Sequence, residues 1–78
     1  MRLDLFLKKT RIIKRRSVAA EMAKGAKITR DGHPLKPSGE LRDGDELEIR
    51  FGNRILRVKV RSVEEKNPEV EILSEISL

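Results

Sequence analysis

Apolar positions in the first 25 residues recur with the spacing of two short α-helices. The first set follows an i, i+3, i+4 pattern, which predicts a helix over residues 3–10: Leu3, Phe6 and Leu7. A second set repeats the pattern and predicts a helix from about residue 14 or 15 to residue 24: Val18, Ala19, Met22 and Ala23. Gly25 is the expected stop of the second helix. Helices this short need tertiary packing for most of their stability.

Beyond Gly25 the period of the pattern changes from that of a helix to that of a strand. Residues 27–30 form a short extended segment that ends at the turn signal Asp31-Gly32. Residues 33–39 contain two prolines and are expected to be irregular. Two alternating segments, residues 47–51 and 56–60, flank Gly52-Asn53 and predict a β-hairpin. In this hairpin Glu48 is expected to lie opposite Lys59 or Arg57.

These elements predict an α+β fold in which two short N-terminal helices pack on a small antiparallel sheet. The predicted domain spans residues 1–61, and residues 62–78 form an acidic C-terminal extension. Within the extension, residues 70–73 are compatible with a strand or a short helix, and Pro68 interrupts the pattern. We expect this extension to be a weakly ordered tail.

Charge is distributed unevenly along the 78 residues, whose formal net charge is +5. Residues 1–30 carry ten lysines and arginines against two acids, which gives +8, and residues 62–78 carry one lysine against five glutamates, which gives −4. A basic first half indicates a polyanionic partner, and nucleic acid is the commonest one. A membrane surface is the weaker alternative, because it would need the bulky apolar side chains that the core requires.

The densest positive charge is the segment RIIKRRS, residues 11–17, in which no acid is interleaved. Arginine presents a planar fork that suits phosphate, and the two isoleucines would anchor the segment in the core. A solvated charge run is the alternative interpretation. Both phenylalanines, Phe6 and Phe51, fit apolar patterns, which favours reading of backbone and shape over base stacking. The candidate RNA-binding residues are Arg2, Lys9, Arg11, Lys14, Arg15, Arg16 and Lys36.

No pattern in the chain indicates catalysis, a metal site or a cofactor. His33 lies between a turn and a proline, and Asp43 and Asp45 flank a glycine and are typical of turns. The chain has no cysteine, no phosphate-binding glycine motif and no apolar run long enough for a membrane span. We therefore expect a cytoplasmic, monomeric binding protein that is not an enzyme.

Several stretches together resemble the S4 RNA-binding domain, also called the alpha-L motif. They cover roughly residues 1–61 and read MRLDLFLKKTRIIKRRSVAAEMAKG, KITRDG, KPS, GDELEIRFGN and ILRVKV. The chain is most similar to the small stand-alone members, the heat-shock-protein-fifteen and ribosome-quality-control S4 proteins. The resemblance implies two helices on an antiparallel sheet, with RNA bound by the helices through Arg2, Arg11, Arg15 and Arg16, then Lys14 and Lys36. Arg30 departs from the family, which usually has an apolar or aromatic residue there.

The resemblance also implies a cellular role. Small members of this family bind ribosomal RNA and tRNA on large ribosomal subunits that remain obstructed by peptidyl-tRNA after stalled translation. Large-subunit ribosomal RNA, tRNA and the large subunit itself are the implied partners. The alternative is a protein-binding adaptor that uses the hairpin edge and the acidic tail.

Overall fold

The computed structural model describes residues 1–78 and contains two helices and five strands. The helices are α1 (Leu3–Lys9) and α2 (Arg16–Lys24). The strands are β1 (Ile28–Arg30), β2 (His33–Pro34), β3 (Glu46–Arg50), β4 (Arg54–Ser62) and β5 (Glu69–Ser77). All neighbouring strands are antiparallel, and their order in the sheet is β2-β1-β3-β4-β5. The predicted α+β fold, with two helices on an antiparallel sheet, is confirmed.

The two helices are close to their predicted positions but differ at the ends. Arg15 is extended, with φ −116° and ψ 131°, so α2 begins at Arg16 rather than at residue 14 or 15. Gly25 ends α2 as predicted, yet its φ is −81°, and the left-handed residue is the next one, Ala26, at φ 59°. Arg11 is also left-handed, at φ 62°, and redirects the chain between the helices.

The core lies between the apolar stripes of both helices and the inner face of the sheet. Phe6, Leu3 and Leu7 of α1 are fully buried, as the i, i+3, i+4 spacing predicts. The inward positions of β1, β3 and β4 complete the core: Ile28, Leu47, Ile49, Leu56, Val58 and Val60. Ile13 of the interhelical linker is also buried, which anchors the basic segment in the core.

The β3–β4 hairpin has the predicted register. Glu48 lies opposite Arg57, and Ile49 lies opposite Leu56. The Arg57 guanidinium makes its ion pair diagonally, with Glu46 at 3.3 Å. Opposite charges on neighbouring strands therefore support the register on the solvent face of the sheet.

At the other side of the sheet, β1 and β2 form a tight hairpin. Asp31 and Gly32 occupy the turn with φ 53° and 80°, the left-handed pair that a two-residue turn of this kind requires. The expectation that residues 33–39 are irregular is wrong for His33 and Pro34, which pair with β1. The proline is tolerated because β2 is an edge strand, where a missing N–H leaves no partner unsatisfied.

The C-terminal segment is not a weakly ordered tail. Strand β5 pairs with β4 along nearly its whole length, with Val70 opposite Val60 and Ile72 opposite Val58. The register shifts after Ile72, so that Ser74 is the next residue with a partner. This bulge breaks the alternation of apolar and polar residues, which explains why the pattern does not identify the strand from sequence.

Candidate nucleic-acid interface

A single buried carboxylate joins the two helices on their basic side. Asp4 of α1 is 4% exposed. Arg2 donates to it through Nε and Nη2, each at 3.2 Å, and the Nε atom of Arg16 lies 3.4 Å from its Oδ1 atom. The backbone N–H of Leu5 donates to the same oxygen at 2.8 Å. We refer to Arg2, Asp4 and Arg16 as the Asp4 clamp.

The clamp keeps Asp4 ionised. Burial on its own would raise the pKa of this carboxyl, but hydrogen bonds from Arg16, from the Leu5 N–H and from Arg2 outweigh it and hold the pKa below its usual value. One negative charge then faces two positive ones, so the clamp carries a net charge of +1. The side chains of Arg2 and Arg16 remain 46% and 45% exposed. The clamp therefore orients two guanidinium groups without removing them from solvent.

A loop from the sheet brings a third cation beside the clamp. The first turn of α1 is bound by this loop, because the N–H groups of Leu3 and Asp4 donate to the carbonyls of Gly39 and Pro37 at 2.8 and 3.1 Å. These bonds satisfy donors that a helix start otherwise leaves free. Lys36 precedes Pro37, and its side chain lines one groove with Arg2 and with Lys24 of α2.

The linker places two further cations at the start of α2. Lys14 and Arg15 are exposed and make no ion pair with any acid of the chain. They line an open crevice beside α2, which we call the α2 crevice. Its remaining lining is apolar and consists of Ile12, Ile13, Val18, Met22 and Phe51.

Lys9 and Arg11 lie apart from the clamp. The Nζ atom of Lys9 donates to the backbone carbonyl of Glu65 at 2.8 Å, in the loop between β4 and β5. Arg11 lines a groove with residues of β4 and β5, among them Arg54 and Ile72. The structure thus brings Arg2, Arg16 and Lys36 together and places Lys9 and Arg11 beside the C-terminal strands.

The acids of the C-terminal segment do not neutralise the candidate residues. Glu75 pairs with Arg54 at 2.7 Å, and Glu71 pairs with Arg61, both on β4. None of the seven candidate cations forms an ion pair with residues 62–78. Two of the five glutamates of that segment are therefore paired with arginines of β4, and none of the five forms an ion pair with a candidate cation.

Two residues at this surface were missed by sequence reasoning. Asp4 is adjacent to Leu3 and three residues before Leu7, so it lies on the buried stripe of α1. An acid on a buried stripe needs a cationic partner, and that signal could have identified the clamp. Lys24 gave no such signal, because only the fold of the loop places it opposite Lys36.

The arrangement suits the binding of an anion. The structure contains no group of three or more side chains that could hold a metal ion. Neither helix has the length and apolar character needed to cross a bilayer. The surface presents solvent-exposed cations at the start of both helices, and Asp4 holds two of them, Arg2 and Arg16, in position. Phosphate groups bind such cations.

Comparison with known proteins identifies similar sequences and a similar structure. Residues 1–47 match the family model described as "S4 domain". The chain is 48% identical over 65 residues to the "RQC P-site tRNA stabilizing factor" of Listeria innocua, which covers 83% of this chain and 71% of the relative. It is 41% identical over 71 residues to the protein of the same name from Bacillus subtilis, with 91% and 83% covered.

A protein of the same name from Streptococcus pneumoniae is 44% identical over 81 residues, covering 96% of this chain and 92% of the relative. Among solved structures, heat shock protein 15 of Vibrio cholerae, described as trimeric, superposes with a TM-score of 0.82 at 25% identity. That superposition covers 95% of this chain and 82% of the other.

Proposed function

Because the chain belongs to the S4 domain family, we propose that it is an RNA-binding protein that grips the phosphate backbone of folded RNA with its helix side. The observation that carries the proposal is the Asp4 clamp. Two arginines from different elements share one buried carboxylate and remain nearly half exposed. Pre-oriented guanidinium groups lose less conformational freedom on binding a phosphate than free ones do.

The start of α2 supports this proposal. Arg15 is the N-cap residue and makes no side-chain cap hydrogen bond, and Arg16 is the first helical residue. Cations at this end oppose the helix dipole, so they do not serve the stability of α2. A phosphate placed there would meet both the free N–H groups of the first turn and the two guanidinium groups.

We propose further that the RNA is tRNA and ribosomal RNA of large ribosomal subunits. The relatives carry the name "RQC P-site tRNA stabilizing factor". The sequence also resembles the small S4 proteins of ribosome quality control. In this proposal the chain holds peptidyl-tRNA in the P site of a subunit left obstructed by stalled translation. It acts in the cytoplasm, as a monomer and by binding alone, without catalysing a reaction. Arg2, Lys9, Arg11, Lys14, Arg15, Arg16 and Lys36 are the proposed contacts.

Salt dependence of binding tests the backbone-binding part of this proposal. If four to six phosphates are neutralised, the slope of log affinity against log salt is about −3 to −5. Affinity then falls by roughly two to three orders of magnitude between about 50 and 200 mM salt. Binding to structured RNA that does not respond to salt would refute the proposal.

Sedimentation with ribosomal subunits tests the cellular part. We expect the chain to sediment with large subunits that carry P-site peptidyl-tRNA, and to release when the tRNA is removed. Equal sedimentation with empty large subunits would contradict a role in holding tRNA, while leaving RNA binding itself in place.

A further inference from the structure

The α2 crevice is an apolar opening with two cations, Lys14 and Arg15, in its lining. Val18 is 44% exposed, and Ile12, Met22 and Phe51 are half-buried around it. The opening measures about 440 Å³, within the ~300–1,000 Å³ typical of ligand sites. None of its lining residues is acidic, and the two charged ones are Lys14 and Arg15. Contiguous apolar surface left open in this way commonly marks a binding site.

Phe51 is held in place at the crevice by the C-terminal strand. The Arg54 guanidinium carbon lies 4.5 Å from the centroid of the Phe51 ring, a cation–π contact. Glu75 of β5 fixes that guanidinium through a 2.7 Å ion pair. The backbone N–H of Leu78 donates to the Asn53 carbonyl at 3.0 Å, which ties the β3–β4 turn to the end of β5. The aromatic wall of the crevice is therefore pre-ordered.

We propose that the α2 crevice takes one unpaired nucleobase of the bound RNA. A nucleobase has flat apolar faces, which match the apolar lining, and it is joined on both sides to phosphates, which match Lys14 and Arg15 at the rim. The crevice also continues the proposed RNA surface, since Arg15 directly precedes Arg16 of the Asp4 clamp. A paired helix presents no free base, so this site selects RNA with a bulged or looped-out nucleotide. The inference rests on the proposed function.

Phe6 is fully buried and is not available to a base. The proposal assigns a stacking role to Phe51, which differs from the prediction that the apolar pattern gave. Phe51 follows the alternating pattern of β3 but lies just beyond its end, where the hairpin turn leaves the ring half-buried. The pattern gives the direction of a side chain and does not report how much of it neighbouring elements cover.

Three RNA hairpins that share one stem test the inference: one fully paired, one with a single unpaired adenosine, and one with an abasic site at the same position. We expect the wild-type chain to bind the unpaired adenosine about ten-fold more tightly than the abasic site, the scale of one base stacked on apolar and aromatic side chains. With 2-aminopurine as the unpaired base, its fluorescence should fall on binding.

Two variants of the crevice and one control variant locate the effect. Val18→Ser changes an exposed side chain of the crevice. It should reduce the ten-fold ratio of the affinities for the unpaired-adenosine and abasic hairpins to about two or less, with the salt slope unchanged. Ile76→Ser is the matched control, since Ile76 of β5 is 53% exposed and does not line the crevice, and it should leave the ratio intact. Phe51→Leu, which keeps apolar volume without the ring, should lower the ratio and abolish the fluorescence change.

Each contrary result has a distinct meaning. Equal binding of all three hairpins, with a normal salt slope, overturns the nucleobase site and leaves the proposed function standing. Equal binding together with a loss of large-subunit association in Val18→Ser assigns the crevice to an apolar side chain of a ribosomal protein and also overturns it. Absence of salt-dependent binding to any hairpin refutes the proposed function and the inference with it.

Discussion

Replacement of Arg16 by alanine is the sharpest test of the Asp4 clamp as an RNA-binding device. The substitution removes one guanidinium that is 45% exposed and bound only to Asp4. Loss of one charge-assisted contact with a phosphate costs about 1–2 kcal/mol, which corresponds to a roughly 5- to 30-fold rise in Kd. If that contact neutralises one phosphate, the log–log salt slope also becomes less steep by about 0.9.

The fold should tolerate this change. Asp4 keeps two hydrogen bonds from Arg2 and one from the Leu5 N–H, so its charge does not become unpaired. An ion pair made by a half-exposed arginine contributes about 0–1 kcal/mol to stability. Removal of a cation from the first position of α2 also relieves an unfavourable interaction with the helix dipole. Thermal unfolding followed by circular dichroism should therefore show little change.

Arg61→Ala is the matched control for the affinity measurement. Its side chain is 54% exposed and also pairs with one acid, Glu71, but it belongs to β4. Both substitutions lower the net charge by one, so a long-range effect of charge would weaken RNA binding equally in both. We expect Arg61→Ala to change Kd by less than about two-fold, because the loss of a surface charge outside the proposed RNA interface is largely screened by salt. Equal losses in the two variants, or an unchanged salt slope in Arg16→Ala, would refute the reasoning.

Three other predictions follow from the structure. Because the pKa of Asp4 is depressed in the folded chain, its contribution to stability is present above its unfolded pKa and is lost as the pH falls through the folded pKa. Asp4→Asn should therefore lower the free energy of unfolding near neutral pH by about 1–3 kcal/mol and reduce the loss of stability in acid that urea titrations measure. Equal acid sensitivity of both proteins would contradict this. Phe6→Ala should lower the free energy of unfolding by about 3–5 kcal/mol, because the ring is fully buried. In a domain this small the melting temperature should then fall steeply, and a value within a few degrees of wild type would be inconsistent with that burial. Deletion of residues 63–78 removes β5, uncovers one side of β4 and should lower the melting temperature markedly, whereas an unchanged melting curve would restore the view of this segment as a loose tail.

Much of the fold follows from local pattern. The i, i+3, i+4 spacing of Leu3, Phe6 and Leu7 gives α1, and the Gly52-Asn53 turn between two alternating segments gives the β3–β4 hairpin with its register. These elements are predictable because each buries one face, so that the period of the sequence reports the geometry of the chain directly. Their ends are less predictable: Ala26, not Gly25, adopts the left-handed conformation after α2.

The C-terminal strand depends on tertiary context. Residues 69–77 hold three glutamates and a bulge, and Ile72 and Ile76 remain more than half exposed, so no clear two-residue alternation survives. Pairing with β4 and ion pairs to Arg54 and Arg61 supply what the local pattern lacks. Partners so distant along the chain cannot be identified from one sequence.

The candidate RNA-binding surface is also predictable from the sequence only in part. The basic segment at residues 11–17 indicates an anion-binding region from composition alone, and the buried Ile13 confirms its anchor in the core. The sequence does not predict which of these cations lie close together. Lys36 reaches Arg2 because a loop of the sheet binds the first turn of α1, and Lys9 turns instead to the Glu65 carbonyl. RNA contact by each of the seven residues stays a prediction.

The irregular pairing of β5 also bears on how copies of this chain behave at high concentration. An outermost strand with free N–H and C=O groups can template another chain and start a fibril. Here the extra residue at Leu73 interrupts the regular row of donors and acceptors, and Glu69, which forms no ion pair, adds a charge to this edge of the sheet. The bulge and the glutamates, which keep β5 from being predicted by its sequence pattern, thus also oppose the addition of further copies to this edge of the sheet.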